Sequence, residues 1–370
     1  MKISKILKQQ ILFLVCCFSF ISSFAQPKHL SNTAEISVLT CGTGAEMYTL
    51  FGHTGLRIKD DSQGLDVVYN WGMFDFKTPN FMSKFVKGNL LYYLDVERFD
   101  DFVYNYTYDN REIIEQQLLL NHQEKIAVWE EVNRQLKGPD RYYTYAFIQN
   151  NCTTKVVDVL NKVLNKKINP NFPSNNHSYR FILNEGLTQH YFEKLGINLL
   201  FGYGTNKQAS LVFLPVKLKD ALTFESSLAN TAQKLNHVSI DKQGFNWNSI
   251  STLWILVLIL GLFTFFKKST LIYFGITAVF SLFLIGISLF TNHPELHFNV
   301  LILLFNPLIF IGLYFKRNLV VLVGASVSII SLLFLGIELI MIILPLILLN
   351  FIYLVVLFTI HKKGMISLRA

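Results

Sequence analysis

Charge is what this sequence has least of. Only 16% of its 370 residues are Asp, Glu, Lys or Arg, against 51% hydrophobic, and the mean hydropathy is +0.36. Such a balance excludes a disordered chain, a coiled coil and an ordinary soluble enzyme, because it demands a bilayer or an unusually large core. Cysteine is scarce: there are four, and Cys16 and Cys17 fall in the N-terminal apolar stretch, leaving Cys41 and Cys152. No C-x-x-C occurs, and the histidines at 29, 122, 177, 190 and 237 have no zinc-like spacing. A G-x-S-x-G elbow is missing as well, and Gly42-Thr43-Gly44 is too short for a phosphate loop. Neither metal nor cofactor is called for, and residues 26–249 hold no repeat or low-complexity run.

The net charge of +8 suggests an anionic partner until it is divided along the chain. Residues 1–25 carry three lysines and no acid, 250–370 carry seven Lys/Arg against Glu295 and Glu338, and 26–249 hold 23 of each sign. The central region is therefore neutral, and a nucleic-acid partner loses its support. The surplus belongs to segments that target and flank a membrane.

A basic start, an apolar stretch at 11–21, and Ser23 and Ala25 before Gln26 have the layout of a secretory signal peptide over 1–25. Beyond residue 250 polar breaks leave five apolar segments, about 250–266, 270–290, 299–315, 319–336 and 339–360, each near the length of a bilayer crossing. If 26–249 is exported, every Lys/Arg cluster falls on the cytoplasmic side, as the positive-inside rule requires. The expected division is an exported domain at 26–228, a juxtamembrane linker at 229–249, membrane helices at 250–361 and a cytoplasmic tail at 362–370. Within the exported region, strand-like runs at 36–40, 53–58, 67–71, 90–95, 112–120 and 142–148 mix with helical periodicity at 81–86, 99–106, 123–136, 153–164 and 179–195. Short connections between them favour an α+β domain. Tyr and Phe crowd 92–108 and would suit an interfacial surface.

The strongest chemical feature is Asn150-Asn151-Cys152-Thr153-Thr154 before Val156, Val157, Leu160, Val163 and Leu164. That spacing starts a helix at Cys152 with Asn151 as its cap. A sulfur in the first turn meets unsatisfied N–H groups and the positive end of the helix dipole, which lower a thiol pKa. Taken alone, a buried cysteine or half of a Cys41–Cys152 disulfide is the plainer reading. His53, opening a strand in Phe51-Gly52-His53-Thr54-Gly55, supplies the imidazole that thiol catalysis needs. Asn70, Tyr69 or Asp75, one turn later, would orient that histidine. In the apolar half, a polar island with His293, Glu295 and Asn299, followed by Asn306-Pro307, is a candidate for binding a lipid headgroup or for docking the exported domain.

The runs Leu39-Thr40-Cys41-Gly42, Leu50-Phe51-Gly52-His53-Thr54, Tyr69-Asn70-Trp71-Gly72-Met73-Phe74-Asp75-Phe76, Asn80-Phe81, Phe85-Val86-Lys87-Gly88, Tyr145-Ala146-Phe147 and Asn150-Asn151-Cys152-Thr153-Thr154 resemble the Lnb family of Bacteroides-type lipoprotein N-acyltransferases. Asn292-His293-Pro294, Asn299 and Asn306-Pro307 extend the resemblance into the apolar half. The Asn-Cys helix start with an upstream strand histidine is similar to the permuted papain-like superfamily of lecithin–retinol acyltransferase and NlpC-type hydrolases. The resemblance implies an α+β, permuted papain-like periplasmic domain followed by an all-α domain of five transmembrane helices in a bacterial inner membrane. It further implies Cys152 and His53 as a catalytic pair that moves an acyl chain from a membrane phospholipid, through a thioester, to the α-amine of a lipoprotein's diacylglyceryl-cysteine. Two other readings stay open: a cysteine peptidase or amidase acting on cell-wall peptides, and a non-enzymatic membrane-anchored binding protein with a Cys41–Cys152 disulfide.

Overall fold

The computed structural model of the protein describes residues 29–164, 167–168, 177–239, 246–266 and 268–367, the last eight of these as backbone only. The signal segment expected at 1–25, Lys267 and the end of the expected tail lie outside the described residues.

Alternation of side chains builds the sheet. Strands β1 (Glu35–Cys41), β2 (His53–Asp60) and β3 (Leu65–Met73) form an antiparallel meander; β4 (Leu91–Arg98), β5 (Ile113–Gln117), β6 (Tyr142–Thr144) and β7 (Gln233–Lys234) complete it in the order β6-β4-β3-β2-β1-β5-β7. On one face Ile36, Val38, Leu56, Ile58, Tyr69 and Trp71 join the main core. Helices α3 (His122–Lys137), α4 (Cys152–Val163) and α7 (Pro215–Phe224) cover that face through Val128, Trp129, Val156, Leu160, Leu218 and Leu222. The opposite face, Leu39, Cys41, Val68 and Ile113, packs on Phe102 of α2 (Phe99–Tyr108). Period-two burial on both faces is what a sheet between two helical layers requires. Of the aromatics at 92–108, Tyr92 and Phe102 are core residues, while Tyr104 and Tyr108 are exposed.

Three sequence expectations change. The helix read at 179–195 is two, α5 (Tyr179–Gly186) and α6 (Tyr191–Leu200), because the backbone leaves helical geometry at Leu187 (φ −116°, ψ 33°). Helix α7 was not anticipated, although Pro215 at its first turn is a start signal. The linker expected at 229–249 contributes β7, and Asn236 Oδ1 accepts the Ile113 N–H at 2.8 Å, so its first part belongs to the domain.

The apolar half holds α8 (Ile250–Leu262), α9 (Ser269–Phe290), α10 (Leu301–Leu304), α11 (Leu308–Tyr314), α12 (Asn318–Ser331) and α13 (Ile337–Ser367). Among the described residues two helices, Ser269–Phe290 and Ile337–Thr359, are long and apolar enough to cross a membrane, and a bent pair, Pro294–Leu304 with Leu308–Tyr314, makes up to three. The other two of the five expected spans are shorter apolar helices, Ile250–Leu262 and Asn318–Phe334. The bend has a chemical cause: Pro307 offers no N–H, and Asn306 repairs the break. Its Nδ2 donates to the Leu303 and Gly324 carbonyls and to Ser328 Oγ, while Oδ1 accepts the Leu308 N–H at 3.2 Å. Non-helical backbone in apolar surroundings needs such substitutes.

The polar island does not hang free. Thr291 Oγ1 donates to the Val86 carbonyl (2.9 Å), the Asn292 N–H to Lys87 O (2.9 Å) and His293 Nε2–H to Phe85 O (2.8 Å), all on α1 (Phe81–Lys87). Asn299 Nδ2 donates to the carbonyls of Leu199 and Leu200, at the end of α6. The Gly202 N–H reaches Glu295 O at 2.7 Å; a Cβ there would lie 1.7 Å from the His297 carbonyl oxygen, so only glycine fits. Buried Glu295 accepts the Ile148 N–H on Oε1 at 2.8 Å, four residues before Cys152. Removing that acceptor leaves a buried N–H unpaired. Glu295→Ala is expected to destabilise the full chain in detergent by about 1–3 kcal/mol in thermal unfolding, and Glu295→Gln, which keeps a carbonyl oxygen, by clearly less.

Candidate active site

Cys152 is placed by the turn before it. Asn151 Oδ1 accepts the Thr154 N–H at 3.0 Å, and the Thr154 hydroxyl in turn accepts the Asn151 N–H at 2.8 Å, a reciprocal capping box. The same amide donates to the Phe147 and Phe213 carbonyls at 2.7 and 2.9 Å. Cys152 thus occupies the first helical position, partly exposed. A buried hydroxyl pair, Thr54 Oγ1 and Thr153 Oγ1 at 2.9 Å, fastens this turn to β2 one residue from His53.

His53 is placed by register. Gly55 lies opposite Asn70 across β2 and β3, so His53, two residues before Gly55, shares a sheet face with Asn70. The residue before it, Gly52, has φ +79°, and a Cβ there would meet the Cys41 carbonyl oxygen at 2.3 Å. His53 Nε2 and Asn70 Oδ1 are 3.0 Å apart, and Asn70 Nδ2 donates to Glu97 Oε1 at 2.8 Å. The carboxylate therefore fixes which way the amide points: Oδ1 must face the ring, Nε2 carries the proton, and Nδ1 is left for the sulfur. Tyr106 lies nearly parallel to the imidazole, with ring centroids 6.4 Å apart.

Charge follows from this geometry. Burial pushes the Cys152 thiol up, but the His53 charge and hydrogen bond, with help from the Thr54 N–H and the Thr153 hydroxyl, outweigh it and hold the thiol below its ordinary value. Burial likewise works against a charged His53, while the Cys152 charge, its hydrogen bond and Asn70 together raise the imidazole above its usual value. Both directions favour the charged forms, thiolate and imidazolium, relative to the isolated groups. Burial holds Glu97 above the usual carboxylate range, against the pull of His53 and Asn70.

The remaining candidates sort cleanly. Tyr69 points into the opposite core, its hydroxyl donating to Asn133 Oδ1 at 3.3 Å, and exposed Asp75 accepts the Lys77 N–H in its own turn. Neither meets the imidazole. Cys41 is the cross-strand neighbour of His53 but is buried, and burial drives its thiol far up despite Arg111 and the Tyr106 hydroxyl. The Cys41–Cys152 disulfide of the competing reading is not formed: both are free thiols. Of the polar island, Glu295 approaches the turn before Cys152, His293 and Asn299 bind backbone carbonyls, and Asn306 lies within the apolar helices.

Sequence reasoning missed Glu97 and the rings near the sulfur: Tyr143 and Tyr145 lie close enough to Cys152 to feel its charge, and Tyr92 and then Phe74 pack behind them. A carboxylate two residues along from the partner of Asn70 on β4, with Asn70 opposite Asp95, was the available signal. The arrangement can hold an acyl group on sulfur and shuttle one proton through His53.

Residues 25–185 match the family model of the Lnb N-terminal periplasmic domain. No curated protein and no solved structure matches the chain. Over that stretch, which contains His53, Asn70 and Cys152, the chain is similar to the N-terminal periplasmic domain of the Lnb family.

Proposed function

We propose that this protein is a lipoprotein N-acyltransferase that uses Cys152 as nucleophile and His53 as its general base and acid. The observation that carries the reading is the lowered Cys152 thiol beside an oriented His53, in a domain hydrogen-bonded to helices apolar enough for a bilayer. The Cys152 thiolate attacks an ester carbonyl of a membrane phospholipid. The C–O bond breaks, the lysophospholipid oxygen leaves with the proton held at His53, and a thioester remains. The α-amine of a diacylglyceryl-cysteine then attacks that carbonyl. Its proton passes to His53, the C–S bond breaks, an amide forms and the thiolate–imidazolium pair is restored.

Water is the competitor for a thioester, and the buried rings of Tyr143 and Tyr145 near Cys152 favour the amine by keeping the sulfur in apolar surroundings. Asn70 and Glu97 act as positioning groups that hold the ring with Nδ1 toward sulfur. In this reading the domain is a permuted papain-like module, and all five apolar segments cross the inner membrane with the thiol domain on the periplasmic face.

Mass spectrometry of lipoprotein N-termini tests the assignment. Cells relying on Cys152→Ala are expected to accumulate lipoproteins with a free α-amine; mature lipoproteins that keep their N-linked acyl chain, with no second enzyme present, would overturn it. Release of muropeptide fragments by the full chain, lost in His53→Ala, would instead favour the hydrolase reading. Iodoacetamide should alkylate Cys152 below the ordinary thiol range of about 8.5. In His53→Ala that pH dependence is expected to shift upward, because burial is then opposed only by the Thr54 N–H and the Thr153 hydroxyl, and acyl transfer to fall by about 10²–10⁴. Asn70→Ala should cost about 10²-fold in turnover while thiol alkylation persists, as expected of a misoriented rather than missing base.

A further inference from the structure

The segment between β3 and β4 carries side chains that neither the fold nor the thiol chemistry uses. Phe76 and Met82 are 64% and 67% exposed, and Tyr48, Met73, Phe85 and Val86 are also exposed, so apolar groups cluster on one surface. A patch of this kind on a domain with adequate core marks an interaction site. Its two ends identify the occupant.

The outer end abuts the apolar helices. The carbonyls of Phe85, Val86 and Lys87 are the ones bonded by His293, Thr291 and Asn292, the residues that directly follow α9. Helix α1 therefore sits where a helix of membrane-crossing length ends, beside Leu289, Phe290 and Phe298, themselves 71%, 77% and 83% exposed. Lys77, Lys84 and Lys87 stand among these groups, and none makes an ion pair among the described residues; Asp75 and Asp95 are the nearest acids in sequence. Apolar rings and thioethers interleaved with lysines suit the boundary between acyl chains and phosphates.

The inner end reaches the sulfur. Ring contacts run Phe85–Phe81 at 6.4 Å, Phe81–Phe76 at 5.1 Å, Phe76–Phe74 at 4.9 Å and Phe74–Tyr92 at 5.2 Å. Tyr92 stacks on Tyr145 at 4.5 Å, and Tyr145 lies close enough to Cys152 to feel its charge. A continuous apolar ladder thus joins the end of a membrane-crossing helix to the thiol.

We infer that the surface of Phe76, Met82 and Phe85 is a lipid-access site: it enters the outer leaflet of the bilayer, and its ring ladder takes up one hydrocarbon chain of a membrane phospholipid and leads the attached ester to Cys152. The passage to Cys152 rests on the acyltransferase reading; the immersion of the surface does not.

The test uses the full chain in nanodiscs containing a phosphatidylethanolamine with a diazirine in one acyl chain. After irradiation, adducts are expected on the peptide spanning 73–87. Adducts confined to residues 250–359 would overturn the inference. The double variant Met82→Ser/Phe85→Ser should raise the half-saturating phospholipid concentration for Cys152 acylation about tenfold more than it affects acylation by water-soluble p-nitrophenyl acetate. Equal losses with both donors would also overturn it. Labelling at 73–87 without any acyl-Cys152 would leave the lipid surface standing and remove the acyltransferase reading. An acylated Cys152 with 73–87 unlabelled would do the reverse.

Discussion

Every polar group of Asn151 is hydrogen-bonded. Its side chain accepts one N–H and donates to two carbonyls, its own N–H goes to Thr154, and its carbonyl accepts from Lys155. Those contacts tie together the loop that arrives from β6, the first turn of α4 and the approach to α7. The cap alone is worth about 0.5–2 kcal/mol. Its larger effect is geometric, because with that residue fixed Cys152 has a single place to be: at the positive end of a helix and beside the first residues of β2. The opposing half of the site is fixed with comparable economy by strand pairing, which sets His53 and Asn70 on one face so that their side chains can bond. Two elements from opposite sides of the sheet therefore meet at its end, and the Thr54–Thr153 hydroxyl pair closes the seam.

The loop between the apolar helices extends this rigidity beyond the N-terminal domain. Residues 291–299 bond to α1, to the turn before Cys152 and to the end of α6, chiefly through backbone groups. Backbone partners on three elements define a position more tightly than surface ion pairs, whose long side chains lose entropy when they are held. Glu295 is the most consequential member, since its carboxylate lies in the seam and one oxygen has no partner among the described residues. A group so costly to bury is retained where it holds a specific arrangement.

How much of this could be read from the sequence depended on the range of the interaction. Cys152 and its cap were legible because cap, cysteine and apolar helix face lie within one short stretch. His53 stood out by its flanking glycines. Asn70 was one of three candidates, and choosing among them needed the register of β2 on β3, a matter of which neighbour faces which side. Glu97 needed a second register, across a strand pair with an irregularity between Trp71 and Met73, where alternation counted from sequence loses its phase. Strand β7 was invisible for another reason: two exposed polar residues carry no hydrophobic period, and only their pairing with β5 makes them a strand. The apolar segments were found by composition, whereas the break at Asn306-Pro307 and the shortness of two helices depend on what their neighbours supply.

The sheet ends on strands of three and two residues, β6 at one edge and β7 at the other. Long bare edges template the addition of foreign strands, and short ones give an incoming chain too few main-chain groups to pair with. A domain held at a fixed distance from a bilayer, at a local concentration it cannot dilute, is most exposed to that hazard. By ending its sheet in two such stubs, this chain keeps its neighbours from joining it.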